Sequence, residues 1–225
     1  MKQLLDFLQE LKSNNNREWF IEHKPLYDLI EVKFRHMAEE LIQGLCAQDD
    51  SLGKLEVKDC TYRIYRDIRF SSDKSPYKTW KGVFVVFGGK KSGFPGYYLH
   101  FEPGNCFLCA GLHMPSKQVL ESFREEVIDS YSNIEQAIRK ASKKGFSLCV
   151  KGSLRKLPRG FENTSSEMSD LLRLRDEVLL ERPLSMEEIS SKDFLSHVLE
   201  LFGCTQDFVR ILNRSTAYVL LPDDV

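Results

Sequence analysis

The residues best suited to chemistry in this chain cluster in one segment, residues 63–81, which we call the basic segment. It carries six basic and two acidic side chains, a local charge of +4 in a chain of 225 residues whose net charge is −1. The basic residues are Arg63, Arg66, Arg69, Lys74, Lys78 and Lys81, and the acids are Asp67 and Asp73. Guanidinium forks bind carboxylates and phosphates through paired hydrogen bonds. We therefore predict an anion site here.

Alternating apolar residues predict that residues 62–70 form a β-strand, whose successive side chains point to opposite faces. Arg66 would then lie in the middle of an apolar row. A buried guanidinium without a partner is costly, so Arg66 would need a carboxylate or a ligand anion. On the other face Arg63, Asp67 and Arg69 would leave one positive charge in excess. That excess suits a phosphate or a carboxylate.

The second half of the basic segment combines a turn with aromatic and cationic side chains. In this turn, residues 72–76, Asp73 can bond its own backbone and Pro76 fixes φ. Tyr77, Lys78 and Trp80 then supply a hydroxyl, a charge and a π-face. Arginines beside aromatic plates suit an anionic ring compound or a nucleotide. The leading hypothesis is a binding or catalytic pocket for a small molecule that carries a phosphate or carboxylate.

The predicted ligand contacts extend beyond the basic segment to two flanking regions. They are Glu18, Trp19, Arg63, Arg66, Asp67, Arg69, Asp73, Lys74, Tyr77, Lys78 and Arg159. Arg159 belongs to a second basic run, at residues 151–159, and Glu18 is also a candidate partner for an arginine of the segment. The usual hydrolase and metalloprotease motifs are missing. The sequence therefore assigns no catalytic residue and no cofactor, and it leaves open whether the protein is an enzyme.

Two alternatives use the same residues in other ways. In the first, the basic segment and the lysine pair at residues 90–91 form a nucleic-acid-associated module, whose binding would weaken steeply with salt. The near-neutral charge of the whole chain gives that alternative no support. In the second, the domain is structural or binds another protein, and the arginines pair internally with Glu18 or with acids of the helices.

Histidines and cysteines near the predicted strands are further candidates. His100 and His113 could perform acid–base work with a carboxylate such as Asp67, although isolated histidines in strands are more often structural. Cys106 and Cys109 have a metal-type spacing, but no second pair exists and a strand would point the two thiols to opposite faces. We predict no metal site, and we interpret the six cysteines as reduced core residues.

Hydrophobic periodicity divides the chain into helices, strands and helices again. We predict a helix at residues 4–11 and a second from Arg17, kinked or restarted at Pro25 and running to residue 46. Predicted strands at residues 83–87, 97–101 and 106–112 follow, with a hairpin tip at residues 88–93. Later helices are predicted at residues 116–128, 134–141, 193–202 and 206–220, with strands at 146–150 and 177–180. Ser185 and Glu188 resemble a capping box, and Gly203 is predicted to be a C-terminal cap.

These elements predict an α+β fold in which an antiparallel meander carries N-terminal and C-terminal helices on one face. The length favours a single domain, residues 1–225. Hydrophobic residues make up 42% of the chain and charged residues 29%, which are ordinary values for a globular protein. No apolar run is long enough to cross a membrane, and the N-terminus lacks the pattern of a signal peptide. We expect a cytoplasmic protein.

Four motifs together resemble a known family. They are Asn-Asn-Asn-Arg-Glu-Trp-Phe at residues 14–20, Tyr-Arg-Asp-Ile-Arg-Phe-Ser-Ser-Asp-Lys-Ser-Pro-Tyr-Lys at 65–78, Gly-Tyr-Tyr-Leu-His at 96–100 and Leu-Pro-Arg-Gly-Phe at 157–161. The chain resembles, over nearly its whole length, the conserved-hypothetical family catalogued as domain of unknown function 2461. The resemblance implies a mainly bacterial, soluble α+β protein, and it implies no established activity, cofactor or catalytic residue.

Overall fold

The computed structural model describes residues 1–221, so the last four residues of the predicted domain lie outside the described part. Two helices open the chain, α1 at Lys2–Ser13 and α2 at Arg17–Gln48. The leucines of α1 are buried, and the Asn16 side chain caps α2 by accepting a hydrogen bond from the Trp19 backbone N–H, at 2.9 Å. The helix α2 continues through Pro25, so the predicted restart there is wrong. Pro25 is exposed, where water can satisfy the backbone carbonyl that it leaves without a partner.

A five-stranded antiparallel sheet forms the centre of the molecule. Its strands are β1 at Lys81–Val86, β2 at Gly96–Phe101, β3 at Phe107–His113, β4 at Ser147–Leu148 and β5 at Glu177–Pro183. Their spatial order is β1-β2-β3-β5-β4. The first three form the predicted meander, and β5 adds to β3 after a long helical connection. The two-residue β4 lies at the edge beside β5.

One further helix precedes the meander, and the others follow it. They are α3 at Val57–Cys60, before the sheet, and α4 at Lys117–Ser142, α5 at Ser169–Leu172, α6 at Met186–Ser190, α7 at Phe194–Gly203 and α8 at Gln206–Leu220. The two helices predicted at residues 116–128 and 134–141 both lie within α4, which is kinked between them by non-helical backbone at Ser130. The Ser185–Glu188 capping box is confirmed. Gly203 is still helical, and Cys204 occupies the C-cap position.

The two faces of the sheet differ in composition. The core face carries Val83, Val85, Tyr97, Leu99, Phe101, Leu108, Ala110, Leu112, Val178 and Leu180, all buried. Helix α2 contacts β1 on this side and α8 contacts β3. The opposite, open face carries the alternate residues of the same strands. The predicted α+β class, with a meander and flanking helices, is confirmed.

The strand predicted at residues 62–70 is wrong, because the basic segment folds as an irregular hairpin. Only two isolated bridges form, between Thr61 and Val83 and between Tyr65 and Tyr77. The turn chemistry of the segment prevents a regular ladder. Pro76 has no N–H to donate. The side chains of Asp67 and Asp73 bond nearby backbone N–H groups, which competes with strand pairing.

Candidate ligand-binding groove

A groove of about 520 Å³ runs across the open face of the sheet. That volume lies within the range of small-molecule sites in proteins. The strand register sets the rows of side chains that form its floor. His100 lies between Gly82 and Phe107 in one row, and Tyr98 lies between Phe84 and Cys109 in the next.

Glycines keep the floor of the groove low. In a third row Gly96 is paired with Gly111, so two neighbouring strands carry no side chain there. Gly111 has φ of +139°, and a Cβ at this position would lie 2.3 Å from the Val178 carbonyl oxygen. At Gly82 a Cβ would lie 2.5 Å from the Tyr98 hydroxyl oxygen. Because Gly82 has no side chain, the Tyr98 ring can lie over β1 at this position.

Aromatic rings line one half of the groove, on its floor and beside it. They belong to Tyr62, Trp80, Phe84, Tyr98, His100 and Phe107. The His100 and Phe107 rings are stacked, with centroids 4.5 Å apart, and the Trp80 ring lies 5.4 Å from His100. Such an array offers a planar ligand both ring faces and ring edges.

A chain of hydrogen-bonding groups crosses the aromatic wall. The Tyr98 hydroxyl lies 2.6 Å from His100 Nδ1, and His100 Nε2 lies 3.5 Å from the Glu102 carboxylate. Because an ionised carboxylate only accepts, Nε2 carries the proton and Nδ1 accepts from the phenol. Burial lowers the pKa of His100, against the opposing effect of Glu102, and burial raises the pKa of Tyr98. Both groups are therefore neutral at pH 7, with the phenol held as a hydrogen-bond donor.

The two ends of the groove carry opposite charge. At the β5 end lie Glu177 and Glu181, with His113 Nδ1 3.0 Å from Glu177 and Lys151 at the rim. At the β1 end, Lys78 Nζ lies 5.6 Å from the centroid of the Trp80 ring and Lys90 Nζ lies 5.9 Å from that of Tyr62. A ligand that spans the groove would meet cations at one end and carboxylates at the other.

The cysteines of the groove are poorly suited to reaction. Cys109 Sγ lies 4.0 Å from Glu181 Oε2, and burial followed by the charge of Glu181 raises the pKa of this thiol. The pKa of Cys149 is also raised by burial. A nucleophilic cysteine needs a lowered pKa. All six cysteines are free, and within residues 1–221 no group of three or more His, Cys, Asp and Glu side chains is placed to hold a metal ion.

Two of the predicted arginine contacts are occupied by acids of the basic segment itself. Arg66 forms an ion pair with Asp73 and is 26% exposed, so it is neither buried nor free for a ligand. Arg69 binds both oxygens of Asp67, at 2.9 and 2.6 Å. These bonds hold the pKa of Asp67 at about 2, and bonds from Ser75 and then Arg66 hold that of Asp73 at about 2.

The lysines of the basic segment bind backbone carbonyls. Lys78 Nζ donates to the carbonyl oxygens of Arg63 and Tyr65, at 2.6 and 3.0 Å, and Lys74 Nζ donates to Ile68 at 3.1 Å. Burial and then the positive charge of Arg63 lower the pKa of Lys78. Arg63 is exposed and forms no ion pair within the described residues. The positive charges of Arg63 and Lys78 thus lie close enough to interact, and that of Lys78 lies beside Trp80.

Tyr77 has a structural role that links the basic segment to the helices. It is 4% exposed, and its ring stacks on Phe20 of α2 with centroids 4.0 Å apart. The Asn15 side chain bonds both backbone groups of Tyr77, accepting from N–H at 3.1 Å and donating to the carbonyl at 3.0 Å. Asn15 therefore clasps the basic segment to the α1–α2 junction.

None of the eleven predicted contacts belongs to the groove lining, and three of them lie outside the basic segment as well. Trp19 stacks on His23, with centroids 4.0 Å apart, and packs against Phe7 of α1. Glu18 is exposed and takes part in no ion pair of residues 1–221, so it is not the partner of an arginine there. Arg159 is exposed in the connection between β4 and α5.

The groove contains residues that sequence reasoning missed. They are Phe84, Tyr98, Phe107, Glu177 and Glu181. The alternation of apolar core residues along each strand could have identified them, because a strand residue between two core residues must face the other side of the sheet. In β2 the core residues Tyr97, Leu99 and Phe101 leave Gly96, Tyr98 and His100 for the open face.

Fold and groove together define a class of protein: an α+β protein whose antiparallel sheet is covered by helices on one face and carries an aromatic groove on the other. The chain belongs to the family of conserved hypothetical proteins designated domain of unknown function 2461, whose model matches residues 3–210. No curated protein and no solved structure matches the chain. Across residues 1–221, no helix has the length and apolar character needed to cross a membrane.

Proposed function

We propose that the groove on the open sheet face binds a planar, ring-bearing small molecule of about nucleotide size that carries an anionic group. The observation that carries the proposal is the convergence of six aromatic side chains around one concave surface. Monomeric proteins rarely leave such a surface open without a ligand or partner. The ring would lie among Trp80, His100 and Phe107, with the Tyr98 hydroxyl available for a polar contact.

The charge pattern sets the orientation of this ligand. Lys78 lies at the Trp80 end and feels the charge of Arg63, so an anion there would offset a local excess of cations. Hydrogen-bond donors of the ring would face Glu177 and Glu181 at the other end. Of the predicted anion contacts, Arg63 and Lys78 keep that role in this proposal, while Arg66, Asp67, Arg69, Asp73 and Lys74 support the hairpin that positions them.

Tryptophan fluorescence tests the proposal directly, because the chain has only two tryptophans and Trp80 lines the groove. In a Trp19→Phe protein, Trp80 is the sole reporter. We expect adenosine monophosphate to change its emission, adenosine to do so more weakly, and ribose 5-phosphate to have no effect. In the matched Trp80→Phe protein, which retains Trp19, none of the three should change the emission.

Two variants separate the ring from the anion. Phe107→Ala removes a stacking wall and should weaken both adenosine and adenosine monophosphate, whereas Arg63→Ala should weaken only the monophosphate. Arg63 is exposed, so its loss should leave the fold intact. The proposal fails if adenosine monophosphate gives no signal or if the Trp80→Phe protein responds as strongly as the Trp19→Phe protein.

The Tyr98–His100–Glu102 chain favours a second candidate, acid–base catalysis in the same groove. A neutral histidine bonded to a phenol at 2.6 Å can take the phenol proton while the phenol oxygen accepts a proton from a substrate, so the pair can act as a general base. With any substrate found, His100→Gln should lower kcat by about 10²–10⁴. Binding that survives with no turnover in a screen of ring compounds would leave only the binding function.

The remaining alternatives are tested in the same screen. A short oligonucleotide tests the nucleic-acid hypothesis, which predicts a strong loss of affinity as salt increases. The structural alternative is supported by two arginines, Arg66 and Arg69, which are matched by carboxylates of the basic segment. It gains if neither nucleotides nor oligonucleotides bind.

A further inference from the structure

A second concave surface lies between helices α4 and α8, and none of its lining residues belongs to the sheet. It encloses about 870 Å³. On α4, Gln136, Ala137 and Lys140 follow one another at helical spacing, and on α8 Arg210, Ile211 and Arg214 do the same. The small Ala137 leaves room between the polar side chains, beside the apolar Ile211.

This cleft is strongly cationic. Its lining contains five basic residues, Arg139, Lys140, Lys143, Arg210 and Arg214, and one carboxylate, Asp207. The excess occurs in a chain whose net charge is −1. Positive charge in a concave surface raises the local concentration of anions more than the same charge spread over a convex surface.

The cations of the cleft are only partly neutralised by neighbouring acids. Asp207 forms ion pairs with two of them, since its carboxylate oxygens lie 2.6 Å from Lys140 Nζ and 3.9 Å from Arg210 Nη1. Arg139 and Arg214 reach acids outside the lining, Glu135 and Glu126. Within residues 1–221, Lys143 forms no ion pair.

These ion pairs are weak enough to be displaced. The four paired cations are between 52 and 69% exposed, and ion pairs in such positions contribute little to stability. A single anionic charge would gain equally little in water, so one phosphate is insufficient. An anion with several phosphates on a compact body could engage several of the cations at once.

We propose that the α4–α8 cleft binds a compact polyphosphate. A small polyanion fits better than a nucleic-acid strand, because the helices bound the cleft on both sides and acids flank it. Asn133 and Gln136 add neutral donors to the lining. This site is independent of the aromatic groove, shares no residue with it and requires no ring in the ligand.

Calorimetric titration of the full chain with inorganic tripolyphosphate tests this proposal. We expect binding that weakens as salt rises from about 50 to about 200 mM, because the charges are solvent-exposed. Lys143→Ala/Arg210→Ala should weaken binding at least about tenfold. The matched control, Lys91→Ala/Lys192→Ala, loses the same charge at exposed positions elsewhere and should bind as the wild type does.

Asp207→Asn gives a result of the opposite sign. Removing the one carboxylate in the lining also frees Lys140, so affinity for tripolyphosphate should rise about threefold to tenfold. A gain of affinity cannot arise from damage to the fold. The proposal is overturned if tripolyphosphate does not bind, if the control pair weakens binding as much as the cleft pair, or if Asp207→Asn leaves affinity unchanged. An effect of Arg69→Ala/Lys74→Ala equal to that of the cleft pair would assign the binding to the basic segment instead.

Discussion

At the scale of single residues, the groove depends on a position that has no side chain. Gly82 leaves the space that the Tyr98 ring occupies, and the ring in turn carries the hydroxyl that bonds His100. In Gly82→Ala the new Cβ would force the end of the Tyr98 side chain to move. We expect a loss of about 1 kcal/mol in the free energy of unfolding and a clear loss of affinity for adenosine monophosphate.

A double-mutant cycle shows whether Gly82 acts through Tyr98. In a Tyr98→Phe background the hydroxyl bond is already gone, so Gly82→Ala should cost less additional affinity than it costs in the wild type. Equal costs in both backgrounds would show that Gly82 affects the ligand by another route. Affinity is measured from the emission of Trp80.

Asn15 is a second position at which one side chain determines the geometry of a larger unit. It makes two hydrogen bonds to the backbone of Tyr77, and each such bond contributes about 1 kcal/mol. Asn15→Ala should therefore lower the free energy of unfolding by about 2 kcal/mol in a denaturant titration. The neighbouring Asn14, which donates to the exposed Glu10 carbonyl, is the control, and Asn14→Ala should cost clearly less. Similar losses in both variants would contradict the clasp.

At the scale of elements, hydrophobic periodicity predicts secondary structure correctly where an element buries one continuous face. It fails where hydrogen bonds from nearby side chains determine the backbone. The long helices and the three strands of the meander were predictable, because each has a continuous buried face. Residues 62–70 have the same alternation, yet Phe70 is 96% exposed and Arg66 bonds within its own turn. Nothing in the alternation itself distinguishes a strand from a hairpin that is held together by Asp and Lys side chains.

A buried ion pair joins α2 to β1, and the strand predicted at residues 62–70 gave no indication of it. Lys81, at 1% exposure, binds Glu31 of α2 at 2.7 Å, and its Nζ lies 4.5 Å from the Phe34 ring centroid. Burial lowers the pKa of Lys81, and the charge of Glu31 opposes that shift. Lys81 was predicted only as one more cation of the basic segment. Its actual role is to hold the end of that segment against the core.

Breaking this pair should be costly. Lys81→Met leaves the partly buried Glu31 without its cation, and we expect a loss of about 3 kcal/mol in the free energy of unfolding. Removing both charges, in Lys81→Met/Glu31→Gln, should recover part of the loss. The control is Lys24→Met, on the exposed Lys24–Asp28 pair of the same helix, which should cost clearly less than Lys81→Met. A double variant no more stable than Lys81→Met would argue against a charge effect.

At the scale of the whole molecule, the candidate site arises from the sheet as a surface. The sequence showed which residues alternate, but not that β5 would pair with β3 and bring Glu181 beside Cys109 and Glu177 beside His113. That pairing spans the whole of α4 and the following connection, a separation that no local pattern specifies. The charges of the basic segment are close in sequence and can be found without knowledge of the fold. The groove residues are distant in sequence and come together only in the fold.

The buried His100 makes the stability of the whole molecule depend on pH. Its pKa in the fold is lowered from the ordinary value of 6.5, so the unfolded chain takes up this proton more readily than the folded one. Stability is then complete above about pH 6.5 and falls as the pH drops below that value. Asp67 and Asp73, with pKa values of about 2, act in the same direction but only below about pH 5.

His100→Gln should therefore flatten the loss of Tm between about pH 7.5 and pH 5 while leaving the more acidic loss in place. Parallel curves for the two proteins across that upper window would show that His100 takes up its proton equally in both states, and the neutral Tyr98–His100 bond would then need another explanation.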